Sequence, residues 1–199
     1  AELPREVEMA GLDLSSFGGG RLTKLQDVRD AVLDFRSSGK KVIARADEMG
    51  QDAYYLAAHA DEVWIHEMGA VMLEGYGRYK MYYKEGIDKL GVDVHVFRVG
   101  EYKSYVEPYL RDDMSPEARE ANIAWLGDLW RMYLEEVAAA RDMTPERLDV
   151  YAQEPSRLLE QAGGDTARAA LDFGLVDAAL TRIEMRQRLI ELVGEDEET

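Results

Sequence analysis

The chain has 199 residues, of which 46% are hydrophobic and 32% are charged, so it can bury a sizeable core and is not a disordered protein. Its 24 lysines and arginines against 40 aspartates and glutamates give a net charge of -16, which disfavours binding to nucleic acids or to an anionic membrane surface. The chain has no cysteine, which excludes disulfides, thiolate metal sites and a cysteine nucleophile.

In the first half of the chain, short apolar runs alternate with segments whose apolar residues have the spacing of a helix face. Residues 12–15 predict a strand, and the glycine loop Gly18, Gly19 and Gly20 follows it. Further strands are predicted at residues 42–44, 63–65, 71–73 and 92–97, the last being the clearest in the chain. Helices are predicted between them, over residues 25–35, 53–60 and 79–90.

The second half is mostly helical. Ser115, Pro116 and Glu117 predict the start of a long helix, because serine caps helices, proline suits the first turn and an acid favours the positive end of the helix dipole. Thr144 and Pro145 repeat this signal for a short helix. Two more helices are predicted at residues 166–173 and 183–193, with a strand at 175–177. Strands that alternate with helices favour a mainly parallel sheet, and hence an α/β fold.

Most candidate functional groups have an ordinary structural explanation. The glycine loop lies between a strand and a helix, where backbone amides can hold a phosphate or an oxyanion, although a plain turn has the same composition. The histidines at 59, 66 and 95 have no metal-ligand spacing, so we expect no metal and no cofactor. Asp112 and Asp113 directly precede a helix start, where acids are common for structural reasons.

Lys103 is the strongest candidate for a catalytic residue. It follows the strand predicted at residues 92–97, and loops after strands of a parallel sheet often carry function. Tyr102 and Tyr105 flank it, and apolar neighbours lower the pKa of a lysine because desolvation penalises the ammonium form. Such a lysine can act as a general base, although a solvated surface lysine is the common alternative.

The lysine lies within a longer block that is similar to a known family. Residues 97–108 read FRVGEYKSYVEP and residues 111–120 read RDDMSPEARE. This block resembles the lysine-bearing segment of the signal peptide peptidase A, or protease IV, family, in the N-terminal half of its long two-domain form. Weaker similarity extends over nearly the whole chain. The polar first residues and the early start of the first strand are also typical of a piece of a longer protein.

The resemblance implies a Clp-protease/crotonase-like fold, built as a spiral of repeated ββα units with a mainly parallel sheet and a helical C-terminal part. It implies a Ser-Lys serine protease of the bacterial inner membrane that faces the periplasm and degrades cleaved signal peptides. Residues 1–199 would form a single domain, with Lys103 as the general base. The partners would be a C-terminal domain that supplies the serine, further copies in a tetramer, and peptide substrates.

One departure from the family pattern is informative. Single-domain relatives carry their serine in a turn that reads Ser-Gly-Gly-Tyr-Tyr, and here the matching stretch reads QDAYY, from Gln51 to Tyr55. Gln51 cannot act as the nucleophile, so we expect this chain to be inactive by itself and the glycine loop to be vestigial. Two alternatives stay open: a crotonase-like acyl-CoA enzyme, and a non-catalytic assembly domain in which Lys103 forms an ion pair.

Overall fold

The computed structural model describes residues 9–97 and 104–194, which fall into two compact units. The first unit holds the residues up to Gly75 and those from Tyr133 onward, and the second holds Tyr76–Met132. The helices, in chain order, are α1 (Leu22–Ser37), α2 (Gln51–Ala58), α3 (Lys84–Lys89), α4 (Glu107–Leu110), α5 (Pro116–Ala140), α6 (Pro145–Gln153), α7 (Pro155–Gln161), α8 (Thr166–Phe173) and α9 (Arg182–Val193).

The first unit is built on a parallel sheet. Its strands are β1 (Met9–Asp13), β2 (Lys41–Ala46), β3 (Glu62–His66) and β4 (Ala178–Leu180), and they lie side by side in that order. All three neighbouring pairs are parallel. The prediction of an α/β fold with a mainly parallel sheet is therefore confirmed.

The central strands are apolar because both of their faces are covered. Val42, Ile43 and Ala44 of β2 are buried in a row, as are Val63, Trp64 and Ile65 of β3. Such continuous apolar runs are typical of parallel strands that have helices on both sides. On one face, Ile43 and Trp64 pack with Ala178 and with Met185 of α9.

Three helices of the first unit, α6, α8 and α9, begin at a side-chain cap. The Thr144 side chain accepts a hydrogen bond from the Arg147 amide at the start of α6, as its Thr-Pro-Glu signal predicts. The Asp165 and Thr181 side chains cap α8 and α9 in the same way. Gly174 ends α8 with φ of 91°, a backbone conformation that glycine adopts without strain.

Four of the predicted strands are wrong or shifted. The first, predicted at residues 12–15, lies at Met9–Asp13. Residues 92–97 form no strand, and the side chain of Phe97 is fully exposed; alternation alone does not make a strand when no neighbouring strand pairs with it. Residues 71–73 contribute only one bridge, from Val71 to Met49. The last strand lies three residues later than predicted, at Ala178–Leu180, because the Leu175 amide bonds back to the Ala170 carbonyl at the end of α8.

The second unit contains less regular structure than the sequence predicts. The helix predicted over residues 79–90 is reduced to α3, and Tyr79 is almost fully exposed. The long predicted helix is present as α5, which begins in this unit and ends in the first. At its start, the Ser115 hydroxyl accepts a hydrogen bond from the Ala118 amide and donates one to the buried Glu107 carboxylate.

Candidate functional site

The sheet brings the glycine loop and the start of α2 to the same edge. β1 and β2 are parallel neighbours, with Asp13 opposite Arg45 at their carboxyl ends. The glycine loop follows β1, and α2 begins at Gln51 shortly after β2. Because the carboxyl ends of adjacent parallel strands face the same side, the two loops meet there, at the edge where α/β folds commonly bind ligands.

The Asp52 carboxylate bonds to the glycine loop. Its Oδ2 accepts a hydrogen bond from the Gly20 amide at 3.0 Å. Gly19 has φ of 90°, and a Cβ atom added to it would lie 2.7 Å from the same oxygen. The loop therefore closes tightly over the carboxylate, and both the space and the backbone angle favour glycine at position 19.

Gln51 is the first residue of α2, and hydrogen bonds to its side chain and to its backbone carbonyl hold it in place. Its side-chain Oε1 accepts a hydrogen bond from the Gly75 amide at 2.8 Å. Its backbone carbonyl accepts one from the Tyr133 hydroxyl at 2.9 Å. Gln51 thus directly precedes the residue that bonds to the glycine loop, and its own side chain takes part in structural bonding.

Two buried tyrosines fix α2 in the unit. The Tyr54 hydroxyl donates to the Leu175 carbonyl at 2.7 Å, and burial raises the pKa of Tyr54. The Tyr55 hydroxyl donates to the Glu136 carboxylate, and burial together with that carboxylate raises the pKa of Tyr55. Arg29 of α1 completes this second contact, at 3.1 Å from the Tyr55 hydroxyl and 3.0 Å from Glu136.

The histidines do not converge on one site. His59 is buried at the end of α2, where its Nδ1 lies 2.7 Å from the Tyr55 carbonyl, and burial lowers its pKa. His66 ends β3, and His95 is exposed in the second unit. Within residues 9–97 and 104–194, no three side chains of the metal-binding types come together.

The predicted base, Lys103, lies outside the described residues, so its position stays a prediction. The next residue, Ser104, begins a 3-10 turn over Ser104–Val106. From the sequence we expect extended backbone at Lys103 and Ser104, which would point their side chains to opposite faces. At residue 104 the structure has the 3-10 turn instead, so that prediction is wrong there. The Ser104 carbonyl accepts a hydrogen bond from the Lys80 ammonium at 2.5 Å, which anchors the turn.

Asp112 and Asp113 make separate structural contacts. The Asp112 carboxylate accepts a hydrogen bond from the Glu85 amide at 3.0 Å, at the start of α3. The Asp113 carboxylate pairs with Arg111 at 2.7 Å. These partners agree with the structural explanation of the two acids.

An apolar cleft lies in the first unit, next to the segment that follows β3. Its volume is about 310 Å³. Its walls include Val71, Leu73, Tyr151, Leu158, Leu159 and Ala169. Val71 is also bridged to Met49, just ahead of α2, so the cleft adjoins the loop that leads to Gln51.

Sequence reasoning missed the Asp52 contact and the cleft. Residues 20 and 52 are far apart in the chain, and only the pairing of β1 with β2 brings them together. The cleft depends on α7, for which no helix was predicted, although Pro155 at its first position is an ordinary helix-start signal.

Comparison with known proteins gives a consistent family. Residues 34–191 match the model of peptidase family S49. The chain is 44% identical to "Protease 4" of Salmonella typhi over 190 residues, covering 96% of this chain and 31% of that protein. It is 38% identical to "Protease 4" of Haemophilus influenzae, covering 98% of this chain and 32% of that protein.

A plant relative is more distant. The chain is 26% identical to "Serine protease SPPA, chloroplastic" of Arabidopsis thaliana over 129 residues, covering 65% of this chain and 19% of that protein. This chain spans about a third of the length of the two bacterial relatives. The family match covers most of the chain and agrees with the parallel α/β fold and with the family resemblance of the segment around Lys103. This chain therefore belongs to peptidase family S49, whose members have the Clp-protease/crotonase-like fold.

Proposed function

We propose that residues 1–199 form the lysine-contributing N-terminal domain of a two-domain Ser-Lys endopeptidase. The observation that carries the proposal is the identity and bonding of Gln51. This residue occupies the helix start where single-domain relatives carry the serine, and its side chain accepts a hydrogen bond from the Gly75 amide. Since glutamine offers no nucleophilic oxygen, we infer that the serine comes from another domain.

The proposed chemistry is acyl transfer with Lys103 as the general base. A neutral lysine amine takes the proton of the serine hydroxyl while the serine oxygen bonds to the peptide carbonyl carbon. The resulting lysine ammonium gives that proton to the leaving amine as the peptide bond breaks. Water then hydrolyses the acyl-serine ester by the same route, which releases the carboxylate product and restores the serine.

Apolar peptides fit the proposal best as substrates. The cleft beside residues 70–74 is lined mainly by aliphatic side chains and is large enough for one or two side chains of a peptide. Released signal peptides, which have apolar cores, are the substrates that we propose. Two bacterial relatives carry the name "Protease 4", which supports a proteolytic role for the whole protein.

The remaining parts of the proposal concern assembly and location. We expect the complete protein to form a tetramer, anchored in the bacterial inner membrane with this domain facing the periplasm. Among residues 9–97 and 104–194, no helix has the length and apolar character needed to cross a bilayer.

Labelling with a serine-directed fluorophosphonate tests whether the serine and the lysine come from different domains. We expect the purified chain of 199 residues to take up no probe and to cleave no signal-peptide substrate. Addition of a separately purified C-terminal half should restore part of both activities, because the serine and the lysine act as one unit. Stoichiometric labelling of the 199-residue chain alone, abolished by Ser104→Ala, would contradict the proposal.

A further inference from the structure

The glycine loop is already occupied by an anion of the chain itself. The Gly20 amide, which could bind a substrate oxygen, instead donates to Oδ2 of Asp52 at 3.0 Å. The same oxygen would be only 2.7 Å from a Cβ atom on Gly19, so the carboxylate also fills the space above that residue. A peptide carbonyl and this carboxylate cannot be in the same place.

This contact differs from those of the side chains that cap other helices of the first unit. Asp165 and Thr181 accept hydrogen bonds from amides of the helices that they begin. Asp52 instead reaches across to the loop after β1, and α2 has no side-chain cap at Gly50. The carboxylate therefore joins the two loops at the carboxyl edge of the sheet.

We propose that Asp52 is a positioning residue that fills the anion-accepting part of the glycine loop and excludes a substrate carbonyl from the Gly20 amide. The Ser-Gly-Gly-Tyr-Tyr turn has glycine at the position that Asp52 occupies, and glycine has no side chain to reach the loop. This half of the protein thus differs from that turn in two ways: Gln51 supplies no nucleophile, and Asp52 occupies the amide that would hold an oxyanion.

Chemical rescue by acetate tests the proposal without any measurement of activity. The Gly20 amide would be followed by two-dimensional NMR of the ¹⁵N-labelled 199-residue chain. In Asp52→Ala, the Gly20 amide proton should move upfield because its bond to oxygen is lost. Sodium acetate should then shift it back in a saturable way, whereas sodium chloride at equal ionic strength should not.

Two control variants test whether the shift of the Gly20 resonance is specific to the Asp52 carboxylate. Asp52→Asn retains an oxygen at the same reach without the charge, so its Gly20 resonance should lie between those of the wild type and Asp52→Ala. Asp27→Ala removes an exposed carboxylate of α1 that pairs with Lys24, and it should leave Gly20 unchanged with or without acetate. Remaining amide resonances report whether each variant keeps its fold.

The proposal fails if Gly20 has the same resonance in the wild type and in Asp52→Ala, or if acetate shifts it equally in both. The inference uses the glycine loop and α2 alone and does not depend on Lys103. Failure of the labelling experiment would therefore leave the acetate result intact, and the reverse also holds.

Discussion

Replacement of Tyr54 by phenylalanine tests how α2 is held under the candidate site. Tyr54 is fully buried, and its hydroxyl donates to the Leu175 carbonyl at 2.7 Å. Phenylalanine keeps the ring and its packing, so the change removes one hydroxyl and leaves the carbonyl without that donor. The test therefore isolates a single bond between α2 and the segment that leads into β4.

The expected cost follows from the burial of both groups. A typical hydrogen bond contributes about 1 kcal/mol net, and a buried acceptor left unpaired costs about 1–3 kcal/mol. The Leu175 side chain is itself fully buried, so water has little access to its carbonyl. We therefore expect Tyr54→Phe to lower the free energy of unfolding by about 2 kcal/mol. For a chain of this length, that corresponds to a fall of roughly 4–8 °C in Tm.

Urea unfolding, followed by tryptophan fluorescence and by circular dichroism, measures this change. Tyr79→Phe is the matched control, because Tyr79 is 97% exposed, and it should change stability by less than about 0.5 kcal/mol. If Tyr54→Phe were as stable as the wild type, the Tyr54 hydroxyl would not anchor α2, and the structural account of the helix start would be wrong.

Two further variants test the packing and the protonation of the first unit. Gly69→Ala should lower the free energy of unfolding by about 2 kcal/mol or more, because its Cβ would lie 2.0 Å from the Asp47 carbonyl oxygen. In the control Gly11→Ala, the added Cβ meets nothing within 4 Å, so its stability should match the wild type. Equal stability of the two variants in thermal unfolding would refute the close approach at Gly69. Burial lowers the pKa of His59, so the unfolded chain binds its proton more readily, and wild-type stability should fall as the pH drops below about 6.5. His59→Asn should weaken this acid sensitivity in urea unfolding at pH 7.5 and 5.5, and the exposed His95→Asn should not; an unchanged slope in His59→Asn would contradict the argument.

Much of the first unit could be predicted because local periodicity and burial agree there. Residues 42–44 and 63–65 are apolar in a row and lie inside β2 and β3, where helices cover both faces. Helix α8 was predicted over its full length, since apolar spacing and a glycine stop both mark it. The Thr-Pro-Glu signal correctly placed the start of α6.

The second unit shows where a periodic pattern is insufficient. Residues 92–97 alternate as a strand would, but a strand also needs a neighbour that accepts its backbone hydrogen bonds. The sequence contains no signal for the presence or absence of that neighbour. For the same reason, residues 71–73 form a single bridge instead of a full strand.

The candidate site was predictable in its residue types but not in its contacts. Gln51 was identified because the family resemblance expects a serine there, and the glycine loop was identified from its place between a strand and a helix. The bond from Gly20 to Asp52 depends on the register of β1 against β2 and on which way one carboxylate turns. No local sequence pattern carries that information.

The role of Lys103 is the central claim, and kinetics of the complete protein test it most directly. We expect Lys103→Ala and Lys103→Arg each to abolish signal-peptide cleavage, because alanine has no base and arginine stays protonated at working pH. Lys89→Ala is the control, since Lys89 is a largely exposed residue that pairs with Glu85, and its turnover should match the wild type. Near-normal turnover in either Lys103 variant would remove this lysine from the mechanism and contradict the account.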